Sequence, residues 1–423
     1  MKTTKYYLFT LLIAMLRLDS AEIPAPSSEA AFPFVLPKKK PDRPLSASME
    51  RLYTDYMAAT PESNELYTQF KYTELKGFDY HGGDGTVSRR DPSKIIFENG
   101  KYYIWFTKRA TPTPPKGKEY TDTIPSADWD LAEVWYATSK DGFTWKEEGV
   151  AIPRPPKPYP GWRAVCTPGI LKWKGKFYLY YQAFLEASGT RGDDCPIAAS
   201  YADSPEGPWT PVNQIILPTG AKGEWDQYAV QDPRPLVHDG KIYMYYKSDS
   251  DADPGLVRMQ GLAIAEDPLG PYIKHPLNPV LSSSHEIALF PFKQGVAVLV
   301  IRDGMEHFTI QYAEDWVNFK IAAITELMPT AAGLFVPDAF TDTKYGRGVT
   351  WGLSHFKNVT GSWNTYHSVL TRFDCDLSLD SNDPEMKKHC YYESPEFYYL
   401  HGLSKKERQT IEQENQILME RNK

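Results

Sequence analysis

"NGKYYIWF" (Asn99–Phe106), "KGKFYLYY" (Lys174–Tyr181) and "DGKIYMYY" (Asp239–Tyr246) are three versions of one pattern. A polar residue and a glycine are followed by a lysine and then by a β-prone run that is rich in aromatics. Asn-Gly and Asp-Gly between such runs are strong hairpin signals, because both turn positions need a positive φ. Two looser copies extend the series, "QGVAVLVI" (Gln294–Ile301) and "YGRGVTWGLSHF" (Tyr345–Phe356). Four of the five are followed by a second recurring element. These are "VWYATSKDGFTW" (Val134–Trp145), "AASYADSPEGPW" (Ala198–Trp209), "LAIAEDPLGPY" (Leu262–Tyr272) and "IQYAEDWVNF" (Ile310–Phe319). Each reads as a strand, an acidic Gly/Pro turn and an aromatic. Short-strand units recurring at intervals of roughly 50–75 residues are the signature of propeller blades. A pair of β-sandwiches also repeats hairpins, but the fixed order of the two elements favours the propeller. The expected fold is all-β: a five-bladed β-propeller over 67–360, with a Pro-rich arm and helix before it (22–66) and an extension with a helix after it (361–423).

The rest of the chain frames this unit. Its 423 residues carry 47 Lys+Arg against 54 Asp+Glu, and no basic stripe suited to phosphates appears, which argues against nucleic acid. Lys2 and Lys5 precede the apolar run Tyr6–Leu16, and small residues follow near Ala21, so 1–21 reads as a signal peptide and predicts a periplasmic or secreted protein. No later run is long and apolar enough for a transmembrane helix, so no membrane partner is expected. Ser46–Ala59 reads as a helix capped by Ser46, with Glu50 near the capping-box position, and Ser404–Lys423 reads as a charged C-terminal helix. Of the four cysteines, Cys375 with Cys390 and Cys166 with Cys195 are the pairings an oxidising compartment would allow. Their spacing matches no zinc signature.

Counting back from each hairpin glycine exposes a recurring acidic slot. Asp91-Pro92 lies nine residues before Gly100, Thr167-Pro168 eight before Gly175, Asp232-Pro233 eight before Gly240, Glu286 nine before Gly295 and Asp338 eight before Gly346. A lone Asp-Pro is ordinary turn chemistry. A slot repeated in successive blades is different, because the innermost strands of a propeller start at one mouth. Carboxylates that converge there push their pKa values apart, and acid–base chemistry needs that separation. Glycoside hydrolysis uses such a pair.

Asp91 in "SRRDPSKI", Asp232 in "QDPRP" and His285-Glu286 in "SSSHEIALF" together resemble glycoside hydrolase family 117, the α-1,3-L-neoagarooligosaccharide hydrolases. The resemblance runs through the five repeats, roughly 67–356, and includes the N-terminal helix. It implies exo-cleavage of neoagarobiose and longer neoagarooligosaccharides, releasing 3,6-anhydro-L-galactose with inversion. It implies Asp91 as general base and His285 as general acid. Asp232 would tune pKa and stabilise charge, and Glu286 would orient His285 or support a cation. A divalent cation, Mg or Zn, in the propeller channel is implied without named ligands. The family's Ser-x-Ala-x-x-Arg pattern, used in dimer exchange, stands here as Ser46, Ser48 and Arg51, so a homodimer formed through the arm is implied. An imidazole has an ordinary pKa of about 6.5 and needs carboxylate neighbours to hold a proton at neutral pH.

Trp129, Thr167, Gln182, Lys247 and Arg90 are the expected substrate contacts: the indole to stack on a sugar face, the polar groups to bind hydroxyls. Packing roles explain each of them equally well. His307 and His355 are further candidates for the inner ring. Two other functions fit the same residues. An arabinofuranosidase- or xylosidase-like propeller would use Glu286 as its acid, and a non-catalytic sugar-binding propeller would need no convergent acids at all.

Overall fold

The computed structural model describes residues 31–54, 64–188, 195–248, 259–283, 285–303, 306–325, 327–357 and 367–380, together with a few isolated C-terminal positions. The expected signal peptide and Cys390 lie outside these residues, as does most of the C-terminal helix; Gln409, Gln413, Gln416, Ile417 and Glu420 are described, all helical and exposed.

One short helix, α1 (Ala47–Arg51), precedes the strands. They run β1 (Lys71–Glu74), β2 (Val87–Arg90), β3 (Ile96–Glu98), β4 (Lys101–Ala110), β5 (Glu133–Ser139) and β6 (Trp145–Ile152). Then come β7 (Ala164–Trp173), β8 (Lys176–Phe184), β9 (Ile197–Ala202), β10 (Thr210–Leu217), β11 (Gln231–His238), β12 (Lys241–Ser248), β13 (Met259–Ala265) and β14 (Ile273–Lys274). The last are β15 (Ile287–Lys293), β16 (Gly295–Asp303), β17 (Glu306–Ala313), β18 (Lys320–Ile324), β19 (Gly333–Leu334), β20 (Gly346–Lys357) and β21 (Ser368–Ser378).

These strands form four antiparallel sheets. Strands β2 to β6 make the first, β7 to β10 the second and β11 to β14 the third. The fourth runs β1-β21-β20-β15-β16-β17-β18, with β19 added on β20. Among the described residues, its two halves pair through Phe292–Arg347 and Lys293–Gly346. The outer strand of the last half is thus β1, from the other end of the chain. Its partner β21 comes from the stretch expected to be a C-terminal extension.

The hairpin signals are realised as turns. Glu98 pairs with Lys101, Trp173 with Lys176 and His238 with Lys241, leaving two-residue loops. Both loop residues have positive φ in each case: Asn99 and Gly100, Lys174 and Gly175, Asp239 and Gly240. The aromatic runs after them are buried on both faces; Ile104, Trp105 and Phe106 are fully covered, as are Tyr245 and Tyr246. That is what a sheet packed between two others requires. Neighbouring sheets also bond directly. Ile95 N–H donates to Leu334 O at 2.9 Å and Val237 N–H to Ala339 O at 3.0 Å.

The arm lies against its own chain. Ser46 caps α1 by accepting from Met49 N–H, and its hydroxyl donates to Pro279 O at 2.8 Å. Glu50 pairs with Lys40 at 2.7 Å. Ser48 Oγ accepts from Ser282 N–H at 2.8 Å, while Arg51 donates to Phe319 O at 2.6 Å and Gln311 Oε1 at 2.9 Å. Phe32 and Met49 are buried beside Trp225 and Tyr246.

Two sequence expectations are corrected here. Asp338 does not share the acidic slot: it accepts from Arg347 N–H at 2.9 Å, in the connection between β19 and β20. That connection is far longer than the other hairpins, so counting back from Gly346 stops short of the inner strand. Ile95 bridges Phe335, which sets Asp91 level with Ala331, and Ala331 has the same positive φ as Asp91. A Cys166–Cys195 disulfide is also absent, because the Cys166 thiol donates to Gln182 Oε1 at 3.1 Å.

Candidate active site

Asp91, Thr167 and Asp232 share more than a sequence position. All three non-glycine residues have φ near +50°, a left-handed conformation costing roughly 1–2 kcal/mol for an L-residue. Thr167 is β-branched, which makes the conformation still less favourable. In β7 and β11 the pairing register breaks at this point, between Cys166 and Gly169 and between Gln231 and Arg234. Each following proline needs no ladder partner for its nitrogen. The repeated kink therefore places a slot side chain at the same end of several sheets. Backbone strain retained at one level of the fold marks a site that the surrounding packing enforces.

The second strands supply the partners. Arg90 pairs across the sheet with Thr107, Cys166 with Gln182 and Gln231 with Lys247. Thr107, Gln182 and Lys247 each fall seven residues after the hairpin glycine (Gly100, Gly175 and Gly240). Thr107 Oγ1 and Thr167 Oγ1 each donate to Asp91 Oδ2 at 3.3 Å. Gln182 Nε2 donates to Asp232 Oδ1 at 2.6 Å, and Lys247 Nζ lies 3.1 Å from Asp232 Oδ2 and 3.9 Å from Glu286 Oε1. Gln182 and Lys247, expected to contact substrate, thus hold a carboxylate.

Arg90 ties the site together. Its Nε is 2.8 Å from Asp91 Oδ2, its Nη1 3.5 Å from Asp128 and its Nη2 3.9 Å from Glu286 Oε1. The guanidinium also lies 4.8 Å from the Trp129 ring centre. One face of that half-buried indole is therefore engaged by a cation. Asp128 is fully buried and also bonds Arg109 and the Ser368 hydroxyl, which donates to it at 2.6 Å. His355 Nδ1, on β20, accepts from Asp91 N–H at 3.1 Å and lies 3.4 Å from Asp91 Oδ1. His307 lies on β17, with its side chain outside the described residues.

His285 and Glu286 lie just before β15. The Glu286 carboxylate contacts His285 Nδ1, and Glu286 N–H donates to the same atom at 2.9 Å. Nε2 is left as the ring nitrogen available to a ligand. The His285 carbonyl is pinned by Gln260 Nε2 at 2.7 Å and Ser283 Oγ at 3.1 Å. The imidazole is about a third exposed, whereas Glu286 is buried.

The environments separate the carboxyl groups. Burial alone would raise Asp91, but Arg90 and then His355 hold it below the usual carboxylate range. Burial is likewise opposed at Glu286, where His285, Lys247 and Arg90 hold it well below that range. Asp232 goes the other way. Burial, helped by Glu286 and Asp91, pushes it up to about 6 against the pull of Lys247. Asp91 Oδ1 and Asp232 Oδ2 are buried and accept no hydrogen bond, and the charged group nearest Asp232 Oδ2 is Lys247 Nζ. Such a set keeps Asp91 charged as a base while Asp232 takes up a proton as pH falls through about 6.

Among the described residues, no group of three or more His, Cys, Asp or Glu side chains is placed to hold a metal.

Sequence reasoning missed Thr107 and Asp128 and left His355 without a role. Counting seven residues forward from each hairpin glycine would have found Thr107. Asp128 lies in an irregular connection and carries no such signal.

Known proteins fit this geometry. Residues 86–257 match the family model for glycosyl hydrolases family 43, a span that includes Asp91 and Asp232 and ends before His285. None of the curated proteins compared matches significantly. Among solved structures, the chain is similar to Zg3597, a family 117 glycoside hydrolase produced by the marine bacterium Zobellia galactanivorans. The two are 59% identical over 81% of this chain and 100% of the other, with a TM-score of 0.73. A structure described as a glycoside hydrolase shares the fold at 10% identity, 76% and 95% coverage and a TM-score of 0.51. The chain is a glycoside hydrolase with a propeller fold, and it belongs to family 117.

Proposed function

We propose that the chain is an exo-acting, inverting hydrolase of the α-1,3 linkages of neoagarobiose and neoagarooligosaccharides, releasing 3,6-anhydro-L-galactose. Asp91 activates water as general base. His285 protonates the leaving oxygen from Nε2; in this acid form Nδ1 carries a proton toward the Glu286 carboxylate, in place of accepting from Glu286 N–H as the neutral ring does. Asp232 stabilises charge and adjusts the proton affinity of the group. Arg90, Thr167, Gln182 and Lys247 act mainly by holding the carboxylates, and Trp129 offers its uncovered face to a sugar. The four sheets are read as five blades, with β15 to β18 and β19, β20, β21 and β1 as the last two.

One observation carries the assignment. Glu286 occupies the slot that an acid would use, yet His285, Lys247 and Arg90 hold it ionised. An ionised carboxylate has no proton to give, so the donor must be a neighbour. Asp232 is 1% exposed, with Oδ1 bonded by Gln182 and Oδ2 facing Lys247 Nζ at 3.1 Å, whereas the His285 side chain is 31% exposed. This favours the imidazole and disfavours the arabinosidase-like reading, in which Glu286 is the acid.

The reading extends to a homodimer assembled through the arm and to export by the N-terminal segment, which supports a periplasmic or secreted enzyme. The deciding experiment offers purified protein neoagarobiose and, separately, aryl arabinosides and xylosides. Turnover of neoagarobiose alone supports the proposal. Turnover of the aryl glycosides alone transfers the acid role to Glu286, and saccharide binding without turnover of any substrate makes the chain a sugar-binding propeller.

A further inference from the structure

Further along the inner strands than Asp91 and Asp232, two cationic side chains are buried together. Lys94, between Asp91 and β3, is 5% exposed, and Arg234, on β11, is 2% exposed. Arg234 Nη1 donates to Pro92 O at 3.3 Å, so the guanidinium reaches from the third sheet to the segment that carries Lys94. Its Nε and Nη2 are buried and have no acceptor. Burial lowers Lys94 to about 7, and the neighbouring charge acting on it is Arg234, a second cation. Asp232 is the nearest acid in sequence; its charge is felt by Arg234, but its oxygens are in contact with Gln182 and Lys247 and make no ion pair with the guanidinium. Among the described residues, no carboxylate lies within ion-pair distance of Lys94 or Arg234.

Buried N–H donors on paired cations are strongly unfavourable unless something accepts from them. We propose that Arg234 Nε and Nη2 and Lys94 Nζ form a binding site for a small inorganic anion of the chloride class, inside the ring of inner strands. The surroundings select for size. A methyl group on Gly169 would lie 2.1 Å from Pro233 O, and one on Gly333 would lie 2.1 Å from Ser93 O. Strands so tightly packed at this level suit a monatomic ion rather than a phosphate. The same two cations repel a divalent metal ion from that place. The proposal is independent of which sugar the enzyme cleaves.

The test uses the full chain. Thermal unfolding is followed while sodium gluconate is replaced by sodium chloride at constant ionic strength, and crystals are soaked in bromide for anomalous diffraction. The site predicts a saturable rise in Tm, roughly 2–4 °C, that is lost in Lys94→Met and Arg234→Met. It also predicts a bromide peak within hydrogen-bonding reach of Arg234 Nε. Should the variants fail to fold, the bromide peak in the unaltered protein decides. Anomalous maps without a peak between Arg234 and Lys94, or a Tm indifferent to the gluconate–chloride exchange, overturn the proposal.

Discussion

Glu286 shows how a residue's surroundings decide its role. A buried carboxyl would ordinarily keep its proton, but His285, Lys247 and Arg90 reverse that outcome. Asp91 is held ionised in the same way, chiefly by Arg90. Replacing it with Asn keeps the shape and removes the base, so Asp91→Asn is expected to lower kcat by about 10²–10⁴-fold with little change in Tm, as steady-state kinetics beside calorimetry would show. Asp232 sets the pH dependence. It gains a proton as pH falls through about 6 and loses the charge that faces Lys247. The pH profile of kcat/KM should therefore fall on the acid side with an apparent pKa near 6, and Asp232→Asn should abolish that limb. Buried Asp128 pairs with both Arg90 and Arg109. Asp128→Ala removes a buried carboxylate shared by Arg109 and Arg90 and should cost about 3–5 kcal/mol in urea unfolding. The pair His285-Glu286 and the acids Asp91 and Asp232 were legible in the sequence because each follows from counting back along a hairpin. Asp338 was misread because its hairpin is longer, and Asp128 was invisible because it acts through Arg90 from an irregular loop.

At the scale of the element, the hairpins and the kinks matter most. The Gly turns were legible because Asn-Gly and Asp-Gly leave little conformational choice. The kinks at Asp91, Thr167 and Asp232 were not, since an Asp-Pro or Thr-Pro pair is compatible with several turns. They become necessary only when neighbouring inner strands pack. Glycines at that packing level test the point. Gly333 has no positive φ to explain it, and its role is the close approach to Ser93 and Pro92. Gly333→Ala should destabilise the protein by about 1–3 kcal/mol through overpacking and lower activity with it. Gly100→Ala, at a turn where a methyl group meets nothing within 4 Å, should cost stability through its positive φ and leave kcat unchanged.

The whole molecule ties its first strand to its last. β1 completes the sheet of β20 and β21, which the repeat pattern alone did not reveal because β1 lies outside any hairpin signal. The arm follows a second route, fixing Ser48 to Ser282 just ahead of His285. The homodimer proposed through the arm predicts twice the chain mass in light scattering on the purified protein, and a mass of one chain contradicts it. The most direct test of the central claim is incubation with neoagarobiose, with products separated by chromatography and their anomeric configuration followed by NMR. The account predicts 3,6-anhydro-L-galactose and galactose, formed with inversion by the unaltered protein and lost in both Asp91→Asn and His285→Ala. No release by the folded protein, or full activity in His285→Ala, would contradict it.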